Sequence, residues 1–250
     1  MIDEILNFRL PDSWEDIKNE PSWTSTLINL LSDPIIPLGH VPVLFAFRIN
    51  QANVLSYDHM KGLSIIKMRQ IYKISSADLA PVTSHLNWIT ELPDIPIRLL
   101  PPKGRKTVRP DLADLDFQTY LSLENLYQGY LHTKNDSLLK RMGEILYPRK
   151  FFSMRHLRRQ HLFSCFFWFT SFKAYAAKRW SDFFVNAANA NSLANPASVL
   201  RDTVDAQIRA LTKGDISKEN MILSLPCHRA LTELNALARE SAEIKRKLKN

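Results

Sequence analysis

The chain has 250 residues, 45% hydrophobic and 23% charged, with a formal net charge of +8, six glycines and two cysteines. That length and composition fit one large or two small globular units whose core needs no covalent staples. The scarcity of glycine disfavours Gly-rich phosphate loops, and no Walker or dinucleotide fingerprint is present; Cys165 and Cys227 lack metal-ligand or redox spacing, so reduced thiols are expected.

In chain order, the first forty residues are loop-rich, broken by Pro11, Pro21, Pro34 and Pro37. The opening MIDEILNFRL has no basic segment leading into an apolar one, so no secretory leader is expected. Asp12 or Ser13 can cap a short helix with acids in its first turn, and a second helix is expected over Ser22–Leu31. VPVLFAFRI (41–49) fits either a strand or a buried helix, and GLSIIKMRQIYKI (62–74) is equally ambiguous. Ser75 and Asp78 resemble a capping box before Leu79, Val82, Leu86 and Ile89, which predicts a helix over about 76–91. Pro81 counts against its start. Residues 93–110 read as a hairpin around Lys103-Gly104, confined to a sheet edge by their prolines.

The segment 116–148 is the most regular. Phe117, Tyr120, Leu121, Leu123, Leu126, Tyr127, Tyr130 and Leu131 predict a helix apolar over a wide arc, buried on most sides or partnered. A second helix over 136–147 is stopped by Pro148, making an αα-hairpin. Glu124 falls inside the apolar arc with Gln128 one turn on, and a buried carboxylate needs a hydrogen bond or a cation, here Gln128 or a nearby Arg. A long helix is expected over 154–180. Its apolar run Leu162–Phe172 is too short to span a bilayer, so it reads as an interior helix. Gln160, Ser164, Ser171 and Lys178 form one narrow polar stripe.

NAANANSLANP (186–196) reads as a connector. Beyond it, Asn195 and Pro196 start a helix to about Lys213, with Gly214 past its end. Ser217 is the expected cap of a short helix. Pro226 opens a final helix whose Leu231, Leu234, Ala238, Ser241, Ile244 and Leu248 share one face, suited to a partner or to the protein's own core. The Lys213-Gly214 turn also permits a helix-turn-helix. The fold class expected is mainly α, a helical domain with a small β-hairpin or strand element in the N-terminal half. A mixed region covers 1–110, a buried helical core 111–185 and a C-terminal helical region 196–250.

Chemistry is sparsely signalled. The seven histidines form no HExxH or HxH pair, so no zinc site is expected. PCHR (226–229) puts Cys227 beside His228, but adjacent residues on a helix point apart. RPDLADLD (109–116) offers Asp111, Asp114 and Asp116, acids that a metal-dependent nuclease could use, or that a polar turn into the next helix explains more plainly. Glu124 could serve as an acid/base only with a matched second group. No catalytic residue, metal or cofactor is therefore assigned. Basic clusters at 98–109 and 149–159 make Arg105, Lys106, Arg109, Arg155, Arg158 and Arg159 candidate phosphate contacts. Tyr120, Tyr127 and Tyr130, with Leu231, Leu234, Ile244 and Leu248, are candidate partner contacts, because tyrosine joins contact area to a polar tip.

The stretches YLSLENLYQGYLHTKNDSLLKRMGEILYP (120–148), FFWFTSFKAYAAKRWSDFF (166–184) and AQIRALTKGDISKENMILSLPCHRALTELNALARE (206–240) together resemble proteins of the structural-gene region of tailed phages and prophages of gut bacteria. These are loosely grouped with tail-assembly chaperones. The resemblance covers the second half of the chain and carries over no functional residues. It implies a non-enzymatic assembly factor, in the host bacterial cytoplasm or on the virion. Its partners would be other phage structural proteins, such as a helical tape-measure-like protein. A nucleic-acid-binding protein using the basic clusters is the alternative, and no membrane partner is expected.

Overall fold

A computed structural model describes residues 9–101, 107–148, 158–184 and 196–248, with side chains from 203 onward in the last run. The chain is mainly α, with one three-stranded antiparallel sheet in its N-terminal half, as the sequence predicts. It divides into two compact units, one formed by residues up to Pro93 with Ile97–Pro102, the other by Asp94–Pro96 with Lys103 onward. Residues 111–185 and 196–250, separate regions in the sequence reading, fall within the second unit.

The first unit opens with α1 (Trp14–Asn19), where the Ser13 hydroxyl accepts from the Asp16 amide, and α2 (Pro21–Leu31), where Pro21 occupies the first turn. The ambiguous 41–49 segment is a helix, α3 (Val41–Ile49), buried from Val41 through Phe47. Burial on all sides removes the polar face that would mark a helix in sequence. Pro42 fits its first turn, and the Asn50 side chain donates to the Ala46 carbonyl at its end (2.8 Å). Strands β1 (Asn53–Asp58), β2 (Gly62–Lys67) and β3 (Gln70–Ile74) follow in that spatial order.

Between β2 and β3 the turn has only two residues, Met68 (φ 50°) and Arg69 (φ 67°), both left-handed as a twist-matched hairpin turn requires. Gly62 has φ +99°, and a Cβ there would run into the Ile74 carbonyl, so only glycine opens β2 in this way. Leu63, Ile65 and Ile74 are buried on the inner face. Helix α4 (Ser76–Leu86) packs against β2 and α3. Its cap is the expected one, the Ser75 hydroxyl accepting from the Asp78 amide (3.2 Å) and bonding to its carboxylate (2.6 Å).

The helix over 76–91 is corrected in one respect: it ends at Leu86 and tightens into a 3₁₀ turn over Asn87–Thr90. The hairpin over 93–110 is also corrected. No strand occurs in 93–101 or 107–110, the described parts of that segment. Pro93, Pro96, Pro101 and Pro110 lack the amide hydrogens a ladder needs. Ile97 and Leu99 are instead buried as plain core contacts.

The second unit is built on α5 (Phe117–Thr133), α6 (Asp136–Leu146) and α7 (Arg159–Arg179). Asp116 caps α5 by accepting from the Thr119 amide (2.7 Å), and Lys134 (φ 53°) turns the chain out. Asn135 caps α6, giving the expected αα-hairpin. The helix expected from 154 has its start corrected, because Arg158 is extended and α7 begins at Arg159. Of the narrow polar stripe, Ser164 and Ser171 lie inside the unit. Both are buried, each donating back to a carbonyl three residues earlier at 2.7 Å. A serine that bonds its own helix can be buried at little cost.

Helices α8 (Pro196–Thr212), α9 (Glu219–Leu223) and α10 (Cys227–Lys247) complete the unit. The expected Ser217 cap is corrected: Asp215 caps a 3₁₀ turn over Ile216–Lys218 that leads into α9, its carboxylate accepting from the Ser217 amide (3.1 Å) and hydroxyl (2.6 Å), and α9 itself starts without a side-chain cap. The starts of α5 and α10 are tied by a short bridge, Phe117 amide to Leu225 carbonyl and Cys227 amide to Leu115 carbonyl, each 2.8 Å. The connector 186–196 lies outside the described residues except for Pro196.

Candidate functional site

The apolar arc of α5 meets α6 and α7 in one aromatic core. Tyr127 stacks on Phe166 (5.2 Å between centroids), Tyr120 meets Phe169 and Phe172, and Tyr130 meets Phe166. Trp168 and Phe172 are fully buried, and the Trp168 indole donates to the Pro110 carbonyl (2.8 Å). Tyr120, Tyr127 and Tyr130, read as partner contacts from sequence, are therefore corrected to core residues. Burial raises the pKa of all three, with the nearby Glu124 charge adding to the effect at Tyr120 and Tyr127.

Glu124 is half-buried at the edge of this core and fully matched. The Gln128 amide donates to one carboxylate oxygen (2.8 Å) and the Lys173 ammonium to the other (2.8 Å). Lys173 also lies over the Phe184 ring, 5.1 Å from its centroid. The sequence offered Gln128 or a nearby arginine. The cation is a lysine 49 positions away, which no local pattern could locate. With both carboxylate oxygens engaged, the group has the structure of a clamp between α5 and α7.

The acids of 109–116 are likewise occupied by local structure. Asp111 holds Arg109 through two bonds of 3.1 Å, an ion pair that lowers the Asp111 pKa against the opposing effect of burial. Asp114 accepts the Arg109 amide, and Asp116 is the α5 cap. His228 lies within 2.6 Å of the Asp111 carbonyl and edge-on to Trp180. Cys227 is fully buried, and burial together with Asp111 and Asp116 pushes its thiol up to about 12. A thiol so placed stays protonated at neutral pH and is a poor nucleophile. Among the described residues, no group of three or more His, Cys, Asp or Glu side chains is placed to hold a metal ion.

Of the basic candidates, Arg109 is engaged by Asp111, and Arg159 pairs with Asp136 at 3.5 Å. Arg158 is exposed at the start of α7. Arg105, Lys106 and Arg155 lie outside the described residues. The helix-turn-helix expectation meets Lys213 and Gly214 both left-handed after α8. An open cleft beside this turn is lined by Asp205, Ile208, Arg209, Ile216 and Glu219, a mixture of charges around two isoleucines.

Helix α10 is two different surfaces in one element. Cys227, Ala230, Leu231 and Leu234 are core residues, so the partner assignment of Leu231 and Leu234 is corrected. This first part is fastened to the end of α7. Trp180 donates to Thr232 (3.1 Å), and the Phe183 amide donates to Asn235 (3.1 Å). Asp182 bridges to Arg239 at 3.4 Å. From Ser241 to Leu248 every residue is exposed, with Ile244 at 58% and Leu248 at 81%, and with Lys245, Arg246 and Lys247 among them. The partner candidates that remain at the surface are Ile244 and Leu248. Sequence reasoning passed over a second exposed group, Leu55, Met60, Met68 and Ile71 of the small sheet and its turns.

No family model matches the chain, and neither a curated protein nor a solved structure matches it. No helix among the described residues is long and apolar enough to cross a membrane.

Proposed function

We propose that the chain acts by protein–protein contact, as a non-catalytic accessory factor in the assembly of a tailed-phage-like particle, the kind its helical phrasing resembles. Its partners would be structural proteins with long helices, a tape-measure-like protein among them, met in the host bacterial cytoplasm. The observation that carries this reading is the projecting end of α10. Isoleucine and leucine one turn apart stand in water there, beside three consecutive cations. An amphipathic turn of that kind adds its apolar residues to the groove of a helical partner and its charges to an acidic rim.

The test is co-expression with a tailed-phage tape-measure-like helical protein, measuring its solubility and its capture. Parent protein should keep the partner soluble and bind it. The pair Ile244→Asp and Leu248→Asp should lose capture while melting at the parent temperature, because neither side chain contributes to the core. Unchanged capture by the double variant would overturn the role of α10, and no capture by the parent would overturn the reading itself. The nucleic-acid reading is supported less, since Arg109 and Arg159 already have carboxylate partners. Binding to duplex or single-stranded DNA at low salt, falling steeply as salt rises, would favour it instead.

A further inference from the structure

The sheet of the first unit has two edges, β1 and β3, and they are not alike. The β1 edge is interrupted by an irregularity between Val54 and Ser56, the kind of bulge that twists an edge away from a new strand. The β3 edge is regular over its whole length. Its hairpin partner fixes which groups lie on that edge. A two-residue turn makes Lys67 and Gln70 a hydrogen-bonded pair, so Ile65 with Tyr72 and Leu63 with Ile74 are also hydrogen-bonded pairs. Ile71 and Lys73 form the alternate pairs, with Ile66 and Ser64. Their amides and carbonyls point away from β2, and among the described residues none of these groups meets a partner.

Side chains on this edge agree with the backbone. Tyr72 and Ile74 lie on the inner face, whereas Ile71 is 64% exposed and Lys73 is exposed beside it. Met68, at the turn, is 87% exposed. Between residues 53 and 75 the lysines and arginines are Lys61, Lys67, Arg69 and Lys73, and the one acid is Asp58. Asp58 is spent on its own turn, accepting from the amides of Met60 (2.8 Å) and Lys61 (3.0 Å).

We infer that the free edge of β3 is a docking site for an extended, acidic segment of a partner protein, which adds a fourth strand to the sheet. Backbone bonds to Ile71 and Lys73 supply the attachment. An apolar and an acidic residue two positions apart on the incoming strand match Ile71 and Lys73 on the outer face. Lysine on an edge normally discourages pairing, and like charges placed opposite one another across two strands are destabilising. That rule disfavours a second copy of β3, which would bring two basic strands together, and leaves an acidic strand unopposed. A lipid surface fits less well. Met60 and Met68 lie in turns at opposite ends of the sheet, so they offer no single apolar tip, and lipid cannot continue a ladder. This inference rests on the reading of the chain as a contact protein, but the two fail separately. Loss of partner capture through α10 leaves peptide binding at β3 untouched.

The probe is a labelled synthetic peptide of about eight residues, with valine and glutamate two apart on one face, titrated into the full chain by anisotropy. Three comparison peptides carry lysine for glutamate, N-methyl groups on the central backbone nitrogens, or a scrambled order. The parent should bind the acidic peptide and bind each comparison peptide about tenfold or more weakly. Ile71→Pro should abolish binding without disturbing the hairpin, because the amide it removes faces outward. Lys73→Glu should invert the preference toward the lysine peptide. If Ile71→Pro fails to fold, the N-methyl peptide still decides with the parent protein. No binding, equal binding of the N-methyl or lysine peptide, binding to phosphatidylserine vesicles but not to peptide, or sedimentation as a dimer that Ile71→Pro dissociates would each overturn the proposal.

Discussion

Glu124 shows how a single carboxylate can be held near a core without being a reactive group. Its side chain retains 13% of its exposure and that of Lys173 retains 24%, so the pair is neither fully desolvated nor freely solvated. Removing one partner strands the other charge, whereas removing both leaves apolar surface in an apolar place. Lys173→Met is therefore expected to cost about 2 kcal/mol, the scale of leaving a polar group without its partner rather than of breaking a fully buried pair. The double change Glu124→Leu with Lys173→Met should return close to the parent. Urea titrations of the two singles and the double check this, and additive losses would show that the residues do not act as a pair. Gln128, four residues along, was readable from the helical period alone. Lys173 was not, because its proximity comes from the packing of α7 on α5.

At the scale of the element, α10 carries the most instructive division. Its amphipathic pattern runs unbroken along the sequence to Leu248, and periodicity alone does not say where packing stops. Burial does, at about Ala238. Truncation after Pro226 should therefore unfold the second unit, because it deletes Cys227, Ala230, Leu231 and Leu234 from the core. Truncation after Glu240 should leave the thermal melt within a degree or two of the parent. A sharp loss of stability in the shorter deletion would mean that the exposed turns contribute to folding. The αα-hairpin of α5 and α6 and the cap of α4 were legible from caps, breaks and period. The 41–49 segment was not, since a helix buried all round loses the amphipathic signal. Nor was the 93–110 segment, where residues of strand type meet prolines that cannot pair. The exposed sheet edge was hidden because exposure depends on which strands find neighbours.

For the whole molecule, titration sets two limits on stability. Asp215, drawn down to about 2 by Ser217 and Lys218, and Asp16, Asp58, Asp94 and Asp111, also lowered, favour the folded state above the ordinary carboxylate range. Their contribution is lost as pH falls from about 4 toward 2. The Cys227 thiol is raised from 9 to about 12, and the Tyr120 phenol is raised by burial. These groups favour the folded state below their unfolded values, and that contribution drains away as pH climbs from about 9 to 12, where the unfolded chain ionises first. The melting temperature should thus be flat between about pH 5 and 8 and fall on both sides. Cys227→Ala should make the alkaline fall shallower, and an identical slope would remove the thiol as its cause. Both cysteines are sealed in the second unit, at 0% exposure. A thiol-seeking dye in the surrounding solution consequently has nothing to react with until that interior opens. The rate at which colour develops would then clock the opening of this unit alone, with no tag or engineered reporter.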